Sequence, residues 1–590
     1  MLYRVLLTVV LLLTLGSVLA CRPTAAPAPT PTPTAAVAPQ GAVPTPTSIP
    51  TAPTPTPGVV VRATPTPPGL AAPTPTPAGA QARYGGTLRI TQRDDPVGFD
   101  MHEAKKVSTY TQQTLSFTHS RLFEWSKGPG TSNDMSIIPD LAESWEFSKD
   151  GLTVTVRLQK GVRWHPPVNR ELVAKDVKWT FERMLAQSPE KRLFPTLSSI
   201  EAPDNYTVVF RLSQVHAPFF ANLANQTMVI YAEESGKPDP GQAGGRSFVS
   251  PETVVGTGPF IQESYQESVI LTYKRNPNYF KKGLPYLDRV ERLIVKDYST
   301  GLASFRTGKL DILGTTGNVL THDDVPSLRR ISGVQILKFA PFTSGENIIG
   351  RMDQPPWNNI NFRRAVSLAI DREAWLKSIY PEGGVLLSGP IPSTSPFFIP
   401  LDKLGDAGRY YRYDPEEAKR LLKDSGYDGS VLTLFSTTGY GPAYLSRTEL
   451  IKDILERVGI RTKIEAQEYS KWIRDTYRGN YAGGIVHIPG WSLGEEDEWL
   501  GAYTPGDTRN HIVLNDPRVN DIVAKSRLAT SPEERAKYVQ EFVRLFHQEL
   551  FRVFLPFGYA VEAAYSHVKN YYPKAAYDHG KRVEIVWVER

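Results

Sequence analysis

Residues 139–165 read PDLAESWEFSKDGLTVTVRLQKGVRWH, and the fold class follows from this stretch. Leu152-Thr153-Val154-Thr155-Val156-Arg157-Leu158 alternates apolar and polar side chains, the signature of a half-buried strand. Val208-Val209-Phe210-Arg211-Leu212 repeats the alternation further on. Helices carry their own punctuation. Asp414-Pro415-Glu416-Glu417 sets a capping acid, a first-turn proline and a third-position glutamate before Leu421 and Leu422, and Gly426 supplies the stop. Ser531-Pro532-Glu533-Glu534 repeats that start, with Tyr538, Phe542, Leu545 and Phe546 on one face. A third helix is predicted from Phe362 to about Tyr380, with Ala365, Val366, Ala369 and Ile370 at helical spacing. Interleaved strands and helices define an α/β architecture without defining a function.

The same stretch carries a resemblance. Pro139-Asp140-Leu141-Ala142-Glu143-Ser144-Trp145, then Lys149-Asp150-Gly151, then Arg157 through Trp164-His165 resemble the signature of family 5 bacterial extracellular solute-binding proteins. Ala174, Asp176 and Val177 match the helix start that follows it, whereas Pro166-Pro167 replaces the usual Asp-Gly and predicts a reshaped turn. The likeness continues in order through Val255-Gly256-Thr257-Gly258-Pro259-Phe260, Arg275-Asn276-Pro277-Asn278-Tyr279-Phe280, Leu287-Asp288-Arg289-Val290 and Arg306-Thr307-Gly308-Lys309-Leu310-Asp311-Ile312. Arg363-Arg364-Ala365-Val366, Ile370-Asp371-Arg372 and Tyr413-Asp414-Pro415 complete it.

The resemblance implies a two-lobed, periplasmic-binding-protein-like α/β fold of the class II type, large-cluster form, with an inserted subdomain and a hinge between lobes. Lobe I is expected at 84–339 with the insert at about 123–250, lobe II at 340–549, and a return to lobe I at 550–590. The motifs themselves read as structural. Gly256-Thr257-Gly258-Pro259 is a tight entry into a strand rather than a phosphate cradle, since no helix pattern follows it. Arg363, Arg364, Asp371 and Arg372 organise a helix and its neighbours, and Asp311 sits at a turn or strand end.

Outward from this region, the N-terminus has Arg4, an apolar run from Val5 to Leu15 and small residues before Cys21. This is a signal-peptide layout over residues 1–20, and the run falls short of the ~20 apolar residues a spanning helix needs. Cys21 is the only cysteine, so it forms no internal disulfide. With Val18-Leu19-Ala20 it resembles the lipobox of bacterial lipoproteins, although Leu19 is larger than usual there. Residues 21–83 are then a lipidated cysteine and a Pro/Thr-rich tether, extended where proline fixes φ. The expected location is the outer face of the cytoplasmic membrane, in the periplasm or at the cell surface.

The chain has 590 residues and a net charge of +6. Arg4, Arg22 and Arg62 supply half of that charge before the folded part begins, so the remainder is nearly balanced and gives no reason to expect nucleic-acid binding. The expected protein is a monomer working with an ABC permease and its cytoplasmic ATPase.

In peptide binders of the resembled family, a Trp, two residues and an Asp lie along the ligand, and the aspartate pairs with the peptide's ammonium group. The matching segment is Gly490-Trp491-Ser492-Leu493-Gly494, so Gly494 stands where the aspartate is expected, with Glu495, Glu496 and Asp497 following. Trp491 offers stacking area, and Ser492 with its main chain can pair an extended peptide. Thr437 and Thr438, after the strand Leu432-Thr433-Leu434-Phe435, form a second candidate loop; Tyr440 and Tyr503 are further aromatic candidates.

An enzyme is the competing class. The sequence has no Gly-x-Ser-x-Gly elbow, His-Glu-x-x-His helix or Walker loop, and His165, His487 and His511 are not at metal-site spacing. No cofactor, metal or catalytic group is expected. The predicted ligand is peptide-like, with an oligosaccharide or other non-peptide solute as the alternative and a secreted hydrolase the remote one.

Overall fold

In the computed structural model the alternation at 152–158 becomes the strand Thr153–Leu158, which buries Val154, Val156 and Leu158 and leaves Arg157 exposed. The structure describes residues 82–103, 106, 108–129, 136–236, 254–315, 320–340, 343–490, 496–507, 509–573 and 579–589. The leader, Cys21 and nearly all of the tether lie outside these residues.

Ala142–Phe147, Thr153–Leu158, Thr207–Leu212 and Leu197–Asp204 form, in that order, an antiparallel sheet. Val154 pairs with Phe210 and Val156 with Val208, so the buried side chains share one face. Helix Ala174–Gln187 contributes Val177, Phe181 and Met184 to the same core. Asp176 ties its start to the signature: its Oδ2 accepts from Val173 N (3.0 Å) and Trp164 Nε1 (3.3 Å). This subdomain is inserted into a first lobe with two larger sheets, the second of which takes in the chain's return. One runs Thr87–Gln92, Arg289–Ile294, Ile270–Arg275, Phe260–Gln266; the other runs Ile312–Leu313, Ala560–Tyr565, Val334–Phe339.

Two signature elements far apart in sequence meet at the junction of insert and lobe. His165 Nε2 donates to Gly258 O at 3.0 Å, and His165 N donates to Gly256 O at 2.8 Å. Burial lowers the His165 pKa to about 4, which keeps the ring neutral. A side chain at Gly256 or Gly258 would run into the backbone of Thr118, so these glycines permit a close chain crossing into the strand Phe260–Gln266, as the sequence implies.

Asp140 anchors a buried ionic core at the same junction. Lys281 Nζ lies 2.5 Å from Glu124, 2.9 Å from Asp140 and 3.4 Å from Glu584. Lys127 bridges Glu124 (2.8 Å) and Glu584 (2.5 Å), and Lys581 reaches Asp140 at 2.9 Å. Tyr279, from the Asn276-Pro277-Asn278-Tyr279-Phe280 motif, donates to Glu584 at 2.5 Å. Three carboxylates thus face three ammonium groups. Because the insert supplies Glu124, Lys127 and Asp140 while the first lobe and chain end supply Tyr279, Lys281, Lys581 and Glu584, the network fastens one to the other.

The second lobe has a five-stranded sheet ordered Thr462–Gln467, Leu432–Thr437, Gly484–Ile488, Asn347–Gly350, Val553–Phe554. The first three are parallel, and Asn347–Gly350 is antiparallel to both neighbours. Asp414 and Ser531 cap their helices as the sequence predicts, accepting from Glu417 N (3.0 Å) and Glu534 N (3.1 Å). Arg372 donates to the carbonyls of Ser367, Tyr411 and Phe554, and Arg363 to those of Trp357 and Glu549, so both organise helices. Asp311 joins strands: Oδ2 accepts from Arg89 N at 2.7 Å and Oδ1 meets His567 Nε2 at 2.8 Å.

Two expectations are corrected. The single helix from Phe362 to Tyr380 is two, Ile360–Leu368 and Arg372–Ile379, because Asp371 caps the second by accepting from Ala374 N at 2.9 Å. The return to the first lobe comes at Ala560 rather than at 550. The apolar run Leu550–Leu555 is buried in the second lobe's core, and Val553 pairs with Ile348 in its sheet.

Candidate ligand-binding cleft

The chain crosses between lobes twice, after the strand Val334–Phe339 and before Ala560–Tyr565. The crossings are tied together where Leu555 N donates to Glu346 O at 2.9 Å. Both reach the second lobe's sheet at the edge formed by Asn347 and Phe554, which register with each other and with Ile488. The parallel neighbours of that sheet therefore end there too, at Gln467, Thr437 and Ile488. Open α/β sheets bind ligands in the crevice beyond such carboxyl ends. The loops after Thr437 and Ile488 are those of the sequence's candidates.

Thr437 is buried and shapes its loop: Oγ1 accepts from Gly439 N (3.1 Å) and donates to Gln467 O (3.0 Å). Its hydroxyl is committed to the loop, so Thr437 sets the position of the residues that follow it. Thr438 is exposed, and Tyr440, 37 % exposed, sets its ring edge-on to Tyr469 at 5.6 Å and Tyr444 at 5.2 Å. Tyr503 is corrected from cleft to core. It is fully buried, 4.5 Å from the Phe546 ring and 4.9 Å beneath the Arg552 guanidinium.

Trp491, Ser492, Gly494 and Glu495 lie outside the described residues, but both flanks are placed. Gly490 rests on the backbone of Gly345 so closely that a Cβ would overlap it. That seats the start of the segment against a crossing strand. Its far end enters the helix Glu496–Gly501.

The acids after Gly494 are unequal. Asp497 pairs with Arg527 Nε at 2.6 Å, and Glu498 with Arg192 Nη2 at 2.9 Å. Glu496 accepts from the Ser395 hydroxyl at 2.9 Å and has no ion pair among the described residues; burial pushes its carboxyl up, toward the neutral form.

A charged group that the sequence reading missed lies beside Gly345. Arg447 forks onto Glu346 through Nε (2.9 Å) and Nη2 (2.6 Å), while His487 Nε2 meets the same carboxyl at 3.1 Å. The Tyr444 ring stacks on His487 at 4.2 Å. Burial raises the Glu346 pKa, but His487 and Arg447 outweigh it and hold the carboxyl at about 2. It is therefore a matched carboxylate, not one left for a solute. No sequence signal joins positions 346, 447 and 487. Among the described residues no group of three His, Cys, Asp or Glu could hold a metal.

The family model for bacterial extracellular solute-binding proteins, family 5 (middle), matches residues 136–508. A similar curated protein is di/tripeptide-binding protein 2 of Pseudomonas aeruginosa, 28% identical over 491 residues, covering 79% of this chain and 88% of that one. Haem-binding protein A of Haemophilus influenzae is 28% identical over 485 residues, 77% of this chain and 84% of its own. Among solved structures, the ABC transporter-associated periplasmic binding protein DppA from Helicobacter pylori, in complex with peptide STSA, shares the fold. It has a TM-score of 0.70 at 24% identity over 86% of this chain and 99% of that one.

Proposed function

The chain belongs to the bacterial extracellular solute-binding proteins of family 5, and from that premise we propose that it captures a short peptide or peptide-like solute between its lobes and presents it to an ABC importer. The observation that carries this reading is the pair of crossing segments meeting at the carboxyl edge of the second lobe's sheet, with Thr438, Tyr440 and Gly490 arrayed at that edge. Likeness to di/tripeptide-binding proteins over most of the chain supports a peptide. With Gly494 in place of an acid, recognition rests on main-chain pairing and on contact with Trp491 rather than on the ligand's amino group. That same glycine favours, as a second reading, a solute without an ammonium group.

A true ligand binds only the folded, closed protein. At a hundredfold excess over Kd it should stabilise the protein by about 2.7 kcal/mol and reduce the radius of gyration measured by X-ray scattering. Native mass spectrometry of freshly purified protein identifies the ligand to test. A tightly bound solute that left the dimensions unchanged would defeat capture by closure.

Cys21 is the proposed lipid attachment point, with the tether raising the lobes from the membrane. Cys21→Ser should move the protein from the membrane fraction to the soluble exported fraction and leave solute affinity unaltered. Unchanged partitioning would rule out the anchor.

A further inference from the structure

A fully buried guanidinium in the first lobe faces no carboxylate among the described residues. Arg292 lies on an inner strand of the sheet that begins with Thr87–Gln92, and it is 0% exposed. Its Nη1 donates to Thr114 Oγ1 at 3.3 Å and its Nη2 to Gln113 Oε1 at 3.5 Å, while Nε has no acceptor among the described residues. The Phe117 ring lies 4.9 Å from the guanidinium. These partners all belong to the helix Thr109–Thr118, whose sequence TYTQQTLSFT carries no charge. Three other buried arginines are matched. Arg183 forks onto Asp100, and Arg363 and Arg372 donate to backbone carbonyls.

The groups beside Arg292 are short of acceptors too. Tyr273 registers with Gln262 on one side and Val290 on the other, which places Gln262, Tyr273 and Arg292 on one face of the sheet, with Arg292 diagonal to Tyr273 and within side-chain reach. Phe117 stacks on Tyr273 at 4.8 Å and closes the helix over this face. Burial raises the Tyr273 pKa, and Arg292 and Thr114 oppose it from close by. The Tyr273 hydroxyl nevertheless completes no hydrogen bond among the described residues, and the Gln262 amide, 5% exposed, leaves both its ends unpartnered there. Burial lowers the Arg292 pKa as well, but a guanidinium keeps its proton. Water can satisfy buried donors; it cannot balance a charge, and buried charges are paired.

We propose that Arg292, with Tyr273, Thr114 and Gln262, binds a small monovalent anion of the chloride class, which ties the helix Thr109–Thr118 to the sheet beneath it. The class follows from the charge: one guanidinium balances one negative charge, whereas sulfate or phosphate would strand a second in the same buried setting. The hydroxyls of Thr114 and Tyr273 and the Gln262 amide supply neutral donors around the ion. Such an ion binds only the folded chain, so its concentration is linked to stability.

Two measurements on the unaltered protein test the site, with bromide and chloride as probes. Crystals grown in bromide should show an anomalous peak in contact with the Arg292 guanidinium. Thermal unfolding, with gluconate holding the ionic strength constant, should show Tm rising by about 2 °C for each tenfold increase in chloride above Kd. Arg292→Met removes the charge and keeps an apolar stem, so it should lose both the peak and the chloride dependence. If that variant does not fold, the two measurements on the unaltered protein decide the matter. Water alone at Arg292 would overturn the proposal. So would a bromide peak without any chloride dependence of Tm, which marks an adventitious ion only, or a chloride dependence that survives in Arg292→Met.

Discussion

Asp140→Asn is expected to destabilise the protein by about 3–5 kcal/mol, the usual result of removing one partner from a buried charge pair. Asparagine keeps the shape of the side chain and can still accept from Arg121 N, a bond Asp140 Oδ2 makes at 2.9 Å. It removes one negative charge, however, and leaves the ammonium groups of Lys127, Lys281 and Lys581 facing only Glu124 and Glu584. Burial by itself would raise the Asp140 pKa, but Lys281, Lys581 and Lys127 reverse that and hold it far below the usual carboxylate range. The same lysines bring Glu584 to about 2 against its own burial. Both groups have depressed folded-state pKa values, so their stabilisation is fully present above the unfolded values of ~4 and is lost as pH falls toward and below the folded ones. Urea unfolding at pH 7 and pH 3 tests both points. The variant's deficit should be large at pH 7 and smaller at pH 3. A deficit below 1 kcal/mol at pH 7 would show that the network does not fasten the insert.

Much of this arrangement was readable because short-range patterning fixes local structure. The alternation around Val154 and Val156 declares one buried face, and the caps at Asp414 and Ser531 declare two helix starts. The break at Asp371 was hidden, because Ala365 to Ile370 keeps helical spacing right up to the capping acid. The late return to the first lobe was hidden too. A short apolar run such as Leu550–Leu555 suits either lobe's core until its strand partner, Ile348, is known. Tyr503 shows the same limit for sites: a tyrosine near a candidate loop serves equally as core or contact, and Phe546 and Arg552, both distant in sequence, decide the matter. Resemblance marked Asp140, His165, the Gly256–Gly258 turn and Tyr279 as a set without saying why. The structure gives the reason, since they join insert to lobe through contacts between residues far apart in sequence, from 91 positions for Gly256–His165 to 305 for Tyr279–Glu584.

The ligand's amino group should matter little here: N-acetylated and free peptides of one sequence are expected to bind within about tenfold, or 1.4 kcal/mol, of each other. A buried ammonium needs an opposite charge, and stranding it costs several kcal/mol, so a site built around a free N-terminus must present an available carboxylate. Gly494 presents none. Asp497 is held by Arg527, Glu498 by Arg192, and Glu346 by Arg447 and His487. Glu496 accepts from the Ser395 hydroxyl, and burial biases it toward the neutral acid, which attracts an ammonium group weakly. Calorimetry on matched peptides, or on acetylated and free forms of the co-purified ligand, measures the difference directly. A preference of a hundredfold or more for the free amine would refute the expectation and require an ionised acid at the segment. Glu496→Gln then becomes the deciding variant: loss of the preference would mean that the ligand's charge draws the proton off Glu496. Its persistence would move the search to Glu495, or to a different alignment of the Trp491 segment.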